Sequence, residues 1–187
     1  MTGQLQREKA AYYFSIIDED NNKYIEADDF EMRAERLVEA RGVTDPDAKA
    51  EIHDQVMNWW HHLCSVADVD NDERVTQREW QRYWQGLQAA VEEGGEANEA
   101  VLEGLERAAR ATFHSMKVND GDQVTQDEYA EWLAAWGVDD AEAPFDRLDR
   151  DNTGGLTEEN LVQAVREFYL SNDPDAPGNV LYGELPE

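Results

Sequence analysis

Cysteine is all but missing from the 187-residue chain: Cys64 stands alone. That excludes an intrachain disulfide and any zinc site built on several thiolates. Basic charge is also scarce, with 16 Lys and Arg against 43 Asp and Glu, a formal charge of −27. Such a field repels nucleic acid and anionic membranes and attracts cations. No apolar run approaches the length of a membrane span, and the first nine residues carry no apolar signal core. A soluble, cytoplasmic protein is expected, without a nucleic-acid or membrane partner. There is no nucleotide-binding glycine loop, zinc-protease helix motif or nucleophile elbow. No catalytic residue can be named, and a non-enzyme is expected. What is present is apolar: 41% of residues are hydrophobic and six are Trp, enough for a core and against disorder.

The most informative stretch runs from Asp68 to Glu79. Oxygen-bearing side chains fall at its positions 1, 3, 5, 9 and 12, with an apolar Val75 at position 8. This is the spacing of an EF-hand loop, which wraps once around a calcium ion, a hard cation that takes six to eight oxygens. Asp68, Asp70 and Asp72 each offer one oxygen and the Arg74 carbonyl another. Thr76 acts directly or through water, and Glu79 closes the shell with both carboxylate oxygens. Glu73 stands at position 6, where glycine normally makes the turn, at a cost of about 1 kcal/mol.

The same register recurs at Asp18, Lys117 and Asp149. Position 8 is then Ile25, Val75, Val124 and Leu156, and the residue after each loop is Phe30, Trp80, Tyr129 and Leu161. Four and one residues before the loops stand Phe14 and Ile17, Cys64 and Ala67, Phe113 and Met116, Phe145 and Leu148. One fourfold frame explains all of these apolar positions.

The loops differ in chemistry. The first offers Asp18, Asp20, Asn22, the Tyr24 carbonyl, Glu26 and Asp29. Aspartate at position 12 has a shorter arm, which lowers coordination number and shifts the balance towards magnesium's six ligands, while Lys23 adds turn strain and positive charge. The third begins with Lys117 and has Gly121 at position 5. Asn119 and Glu128 alone do not make a site, so this loop is expected to be a structural partner for the fourth. Its Lys117 is either solvated or stands in for a cation beside Glu128. The fourth offers Asp149, Asp151, Thr153, the Gly155 carbonyl, Thr157 and Asn160, with glycine correctly placed at Gly154. Neutral Asn160 makes it a weak site at best, unless a one-residue slip brings Glu159 into the closing position.

Helical spacing flanks the loops. Trp80, Tyr83, Trp84 and Leu87 follow i, i+3, i+4, i+7, as do Tyr129, Trp132, Leu133 and Trp136. Thr44 and Asp47, with Pro46 between them, signal a helix start. The expected fold is all-α, with four helix–loop–helix units of the EF-hand superfamily in two pairs forming one compact globule. Residues 1–93 are the N-terminal pair (loops 18–29 and 68–79). Glu93-Gly94-Gly95-Glu96 is the hinge. Residues 96–170 are the C-terminal pair (loops 117–128, degenerate, and 149–160), and a tail, 171–187, packs back on the body.

Loop starts at 18, 68, 117 and 149 are separated by 50, 49 and 32 residues. With the degenerate loops and the tail Asp175-Ala-Pro-Gly-Asn-Val-Leu-Tyr-Gly-Glu-Leu185, this spacing resembles the sarcoplasmic calcium-binding protein family, including its calerythrin-like, coelenterazine-binding and photoprotein branches. The resemblance implies a compact globule in which one or two loops hold no metal. In the photoproteins, aromatic and histidine side chains line a luciferin cavity. Trp60, Trp80, Trp84, Trp132 and Trp136 are the candidates here, but aromatics at helical spacing point first to core. Adjacent His61 and His62 point apart on a helix and make a poor metal pair. A monomeric calcium buffer is expected, with Mg2+ competing in the weaker loops. A calcium sensor with a protein partner, or a calcium-triggered carrier of an apolar ligand such as a coelenterazine-type luciferin, is the alternative. The four Met are unclustered and argue against an adaptable groove. Metal binding is expected to stabilise the fold, because clustered carboxylates repel until a cation neutralises them.

Overall fold

Helices form where apolar residues recur at three- and four-residue spacing, and each stops where a loop begins. The computed structural model describes residues 3–186; Met1, Thr2 and Glu187, the outer ends of the first expected unit and of the tail, lie outside the described residues. In chain order the helices are α1 (Gln4–Ile17), α2 (Ala27–Ala40), α3 (Pro46–Ala67), α4 (Gln77–Glu93), α5 (Gly95–Met116), α6 (Gln126–Ala134), α7 (Glu142–Leu148) and α8 (Glu158–Leu170). Two-residue strands β1 (Tyr24–Ile25) and β2 (Val75–Thr76) pair antiparallel, Tyr24 opposite Thr76 and Ile25 opposite Val75. In the second half Val124 and Leu156 exchange both backbone bonds, at 2.9 and 2.8 Å. The loops therefore meet in pairs through position 8, and Ile25, Val75, Val124 and Leu156 are all fully buried there.

The start of α3 is capped by Asp45, whose side chain accepts from Asp47 N and Ala48 N, with Pro46 in the first turn. The cap is thus Asp45 rather than Thr44. The apolar spacing Tyr129 to Trp136 outlasts its helix: α6 ends at Ala134, because Gly137 takes a φ of 73° and the Gly137 and Val138 amides fold back onto Ala134 O and Leu133 O. Trp136 is buried from that turn. Between α4 and α5 lies a single residue, Gly94, at φ 74°.

One aromatic core crosses both halves. Fully buried Tyr13 of α1 sits at its centre, with ring centroids 4.1 Å from Tyr182, 5.5 Å from Phe168 and 5.6 Å from both Trp80 and Trp136. Burial first, then the neighbouring Tyr169 and Tyr182, holds the Tyr13 phenol well above its usual range. Two buried cations stitch the halves by main-chain bonds. Lys9 donates to Glu167 O at 3.0 Å and Ser171 O at 2.9 Å, where the α8 carbonyls carry partial negative charge. Burial lowers its pKa to about 8 against the opposing pull of Glu167. Arg33 stacks 3.8 Å over Trp136 and donates to Ile16 O at 2.6 Å and Ala135 O at 3.3 Å.

The segment after α8 turns through a short 3-10 helix (Pro177–Val180) and buries Val180, Leu181 and Tyr182. Tyr12 donates to the Tyr182 carbonyl at 2.8 Å and Tyr129 to the Leu181 carbonyl at 3.0 Å. Leu181 has no exposed surface. Leu181→Ala is expected to cost roughly 2–5 kcal/mol, read as an earlier urea midpoint. An unchanged midpoint would mean the tail adds nothing to the core.

Candidate metal sites

Position 12 of every loop is also the third residue of the helix that follows it. In the second loop Glu79 accepts Val69 N at 3.0 Å on Oε1, and Thr76 N at 2.9 Å and Thr76 Oγ1 at 2.7 Å on Oε2. Thr76 Oγ1 in turn accepts Glu79 N at 3.2 Å, a capping box that starts α4. Asp29 in the first loop does likewise, accepting Glu19 N at 2.8 Å and Glu26 N at 2.9 Å. One carboxylate thus ties positions 2 and 9 together and closes the loop. In both loops position 1 organises the turn: Asp18 accepts Lys23 N at 3.1 Å, and Asp68 accepts Asn71 N at 2.8 Å and Glu73 N at 3.0 Å.

The turn needs two left-handed residues, not one. Position 6 is left-handed at Lys23 (77°), Glu73 (64°) and Gly154 (80°), and position 4 is left-handed at Asn21 (58°), Asn71 (57°) and Asn152 (53°). Asparagine tolerates this region better than other non-glycine residues. Ligand spacing marks position 6 alone; the recurring Asn at position 4 is the sequence signal for the second left-handed residue. The third loop has Asp120 and Asp122 at these places, and neither has positive φ.

Oxygens of Asp18, Asp20 and Asp29, and of Asp68, Asp70 and Glu79, lie within 4.8 Å of one another. Among the described residues no other three His, Cys, Asp or Glu side chains gather this closely. Crowding raises charge repulsion. Lost hydration, and then the charges of Asp72, Glu79 and Asp68, raise the Asp70 pKa. Burial raises Asp29 to about 6, with Asp20 and Asp18 adding to it against the amides of Glu26 and Glu19. Burial also opposes ionisation of Glu79, but bonds from Thr76, Val69 and Asp70 outweigh it and keep the carboxyl below its ordinary value. Asp18 Oδ1 is buried without a hydrogen-bond partner, an oxygen a cation would satisfy. The donor set is all hard oxygen, which fits Ca2+ or Mg2+. Asn22 and Asp72 spend an oxygen on the turn, accepting Tyr24 N and Arg74 N at 2.8 and 3.0 Å.

The other pair is different. Glu128 Oε1 accepts Val118 N at 2.6 Å and Asn119 N at 2.7 Å, while Oε2 accepts Asn119 Nδ2 at 2.5 Å and Thr125 N at 2.8 Å. Lys117 Nζ, half-exposed, donates to the Asn119 carbonyl at 2.6 Å rather than to Glu128. The asparagine amide and three main-chain amides do the neutralising. In the fourth loop Asp149 organises the turn through Thr153 N at 3.0 Å and Gly154 N at 2.8 Å. Thr153 Oγ1 is spent on Gly155 O at 3.1 Å and accepts Gln123 Nε2 at 2.9 Å. Asn160 accepts Thr157 N at 2.8 Å and is buried in the closing position, whereas Glu159 is exposed, so the frame does not slip. Asp151 is exposed, and the Arg150 amide goes to Leu148 O, leaving this loop without the second tie. His53, His61, His62 and His114 are all exposed.

Four such units, joined through their loops in two pairs, define an EF-hand protein. No family model matches the chain. It is 28% identical over 173 residues to calerythrin of Saccharopolyspora erythraea, covering 91% of this chain and 95% of that protein. It is 26% identical over 181 residues to a sarcoplasmic calcium-binding protein of Scylla paramamosain, covering 92% and 91%. The calcium-loaded apo structure of the coelenterazine-binding protein from Renilla muelleri superposes with a TM-score of 0.76 at 16% identity, over 98% of this chain and 99% of that one. The expected likeness to the sarcoplasmic calcium-binding protein family is thus met in sequence by calerythrin and the crab protein, and in fold by the coelenterazine-binding protein.

Glu128 gives a signed pH prediction. Burial opposes its ionisation, but the amides of Thr125, Val118 and Asn119 outweigh burial and hold its pKa at about 2. A depressed folded-state pKa stabilises above the unfolded value of about 4.3 and ceases to as pH falls through about 2. Glu128→Gln is therefore expected to melt earlier than the native chain at pH 7, with the gap closing between about pH 4.3 and 2. A gap that is constant with pH would contradict the ionised, amide-bound carboxylate.

Proposed function

We propose that the protein is a calcium buffer that uses its first two loops as cation sites. The observation carrying this is the pair of three-carboxylate clusters, each with oxygens within 4.8 Å and each tied into a closed loop. The site residues we assign are Asp68, Asp70, Asp72, the Arg74 carbonyl and Glu79, and Asp18, Asp20, Asn22, the Tyr24 carbonyl and Asp29. Glu79, with its longer arm, suits calcium; Asp29 shifts the first loop towards magnesium. The fourth loop (Asp149, Asp151, Thr153, Gly155, Asn160) is at best a weak third site, because its hydroxyl and closing amide are engaged within the protein. The sarcoplasmic relatives are named for calcium binding rather than for a reaction, which supports a binding role. No helix among the described residues is long and apolar enough to cross a membrane.

A second reading, the carrier of an apolar ligand, rests on Trp84 Nε1, buried without a hydrogen-bond partner in the aromatic core. The ring contacts around Tyr13 favour plain core packing over it. A sensor would need a partner groove that opens on binding.

Calorimetric titration of chelator-stripped protein is expected to give two calcium sites, the weaker contested by millimolar magnesium. Glu79→Gln should weaken the tighter site roughly 30-fold or more. Absence of heat and of bound calcium, or two sites untouched by Glu79→Gln, would contradict the assignment.

A further inference from the structure

We infer that the Arg74 side chain, although it belongs to the second loop, sets the cation affinity of the first by holding Glu26. This rests on the reading of both loops as cation sites. Arg74 offers different atoms to the two loops. Its carbonyl is the position-7 oxygen of the second. Its guanidinium leaves that loop, lies 5.3 Å from the Tyr24 ring centroid and pairs through Nε with Glu26 Oε2 at 3.0 Å.

The strand register brings the two residues together. With Tyr24 opposite Thr76 and Ile25 opposite Val75, the next pair outward is Glu26 opposite Arg74. Position 9 of the first loop therefore faces a cation. Position 9 of the second, Thr76, faces Tyr24, which brings no charge. In the other pair, Val124 opposite Leu156 sets Thr125 against Gly155 and Thr157 against Gln123, again without charge. Arg74 makes the first loop the exception.

The contact reaches the ligand set. Glu26 Oε1 accepts Asn22 Nδ2 at 2.9 Å, and the same Nδ2 donates to Asp20 Oδ2 at 3.0 Å. A chain of bonds thus runs from Arg74 through Glu26 and Asn22 to Asp20, across positions 9, 5 and 3 of the first loop. A divalent cation entering there must compete with a guanidinium for Glu26 and share the field of its positive charge. The Arg74 and Glu26 side chains are 52% and 22% exposed, so the effect is screened and modest. The bridge lies at a cleft of about 530 Å³ lined also by Met57, Trp60, His61 and Cys64, which keeps it open to solvent. The consequence is an order of filling: the second loop takes calcium first, and the first loop is held weak by its neighbour.

The test is a double-mutant cycle read by calcium calorimetry, with Glu79→Gln carried throughout so that the first loop is seen alone. Arg74→Gln is expected to tighten that loop roughly three- to tenfold when Glu26 is present, and less than twofold in the Glu26→Gln background. With Glu79 intact, Arg74→Gln should change the second loop less than the first. Equal tightening in both Glu26 backgrounds, or none in either, would overturn the coupling while leaving both sites standing. A native chain that takes up no calcium at all would overturn the sites and the coupling together.

Discussion

The hydrogen bonds that the position-12 side chain accepts from its own loop organise this molecule. In the first three loops a carboxylate receives the amides of positions 2 and 9, so the two ends of each loop are tied together by one group. The same bond to position 9 caps the next helix, and the residue after the carboxylate is the first apolar residue of that helix to be fully buried: Phe30, Trp80 and Tyr129. Loop closure, helix start and core placement therefore share one side chain. In the fourth loop Asn160 keeps the cap and Leu161 keeps the core contact, but the tie to position 2 is lost. A neutral amide at position 12 thus keeps the helix start but not the closure of the loop.

Closure has an electrostatic cost where it gathers other acids. Asp29 and Asp70 are both pushed towards protonation, the first by burial and the second by lost hydration, with neighbouring carboxylates adding to each. Glu128, with amides and an asparagine around it, is pushed the other way, as Glu79 is by the donors of its own loop. The difference lies in what compensates the charge. In the third loop the protein supplies the donors itself; in the first two it leaves Asp18 Oδ1 unpaired and the triads mutually repulsive. A hard divalent cation answers both conditions.

The repeat was legible because it is written in apolar residues as well as in ligands. Position 8 and the residues flanking each loop are now seen in one core, buried in every case but Cys64, which is half-buried against it. What local pattern could not carry depends on contacts far apart in sequence. Lys9 and Arg33 look like surface charges, yet each is buried because α8 carbonyls, or Ile16 and Ala135 carbonyls, wait at the other end. Trp136 keeps helical spacing beyond the end of its helix because Gly137 turns the chain under it. The Asn at position 4 was visible, but its meaning is a backbone angle that ligand counting does not register. Lys117 could not be placed by charge alone, since its partner is a main-chain carbonyl two residues on.

If cation binding relieves repulsion built into closed loops, it must appear as stability of the whole fold, since the same loops start the core helices. The direct measurement is thermal unfolding of one preparation in chelator and again in calcium at about 100 times the dissociation constant. Two-site binding to the folded chain predicts a clear rise in the midpoint, worth roughly 2.7 kcal/mol per site. Identical melts in chelator and calcium would mean that the loops survive as scaffold only.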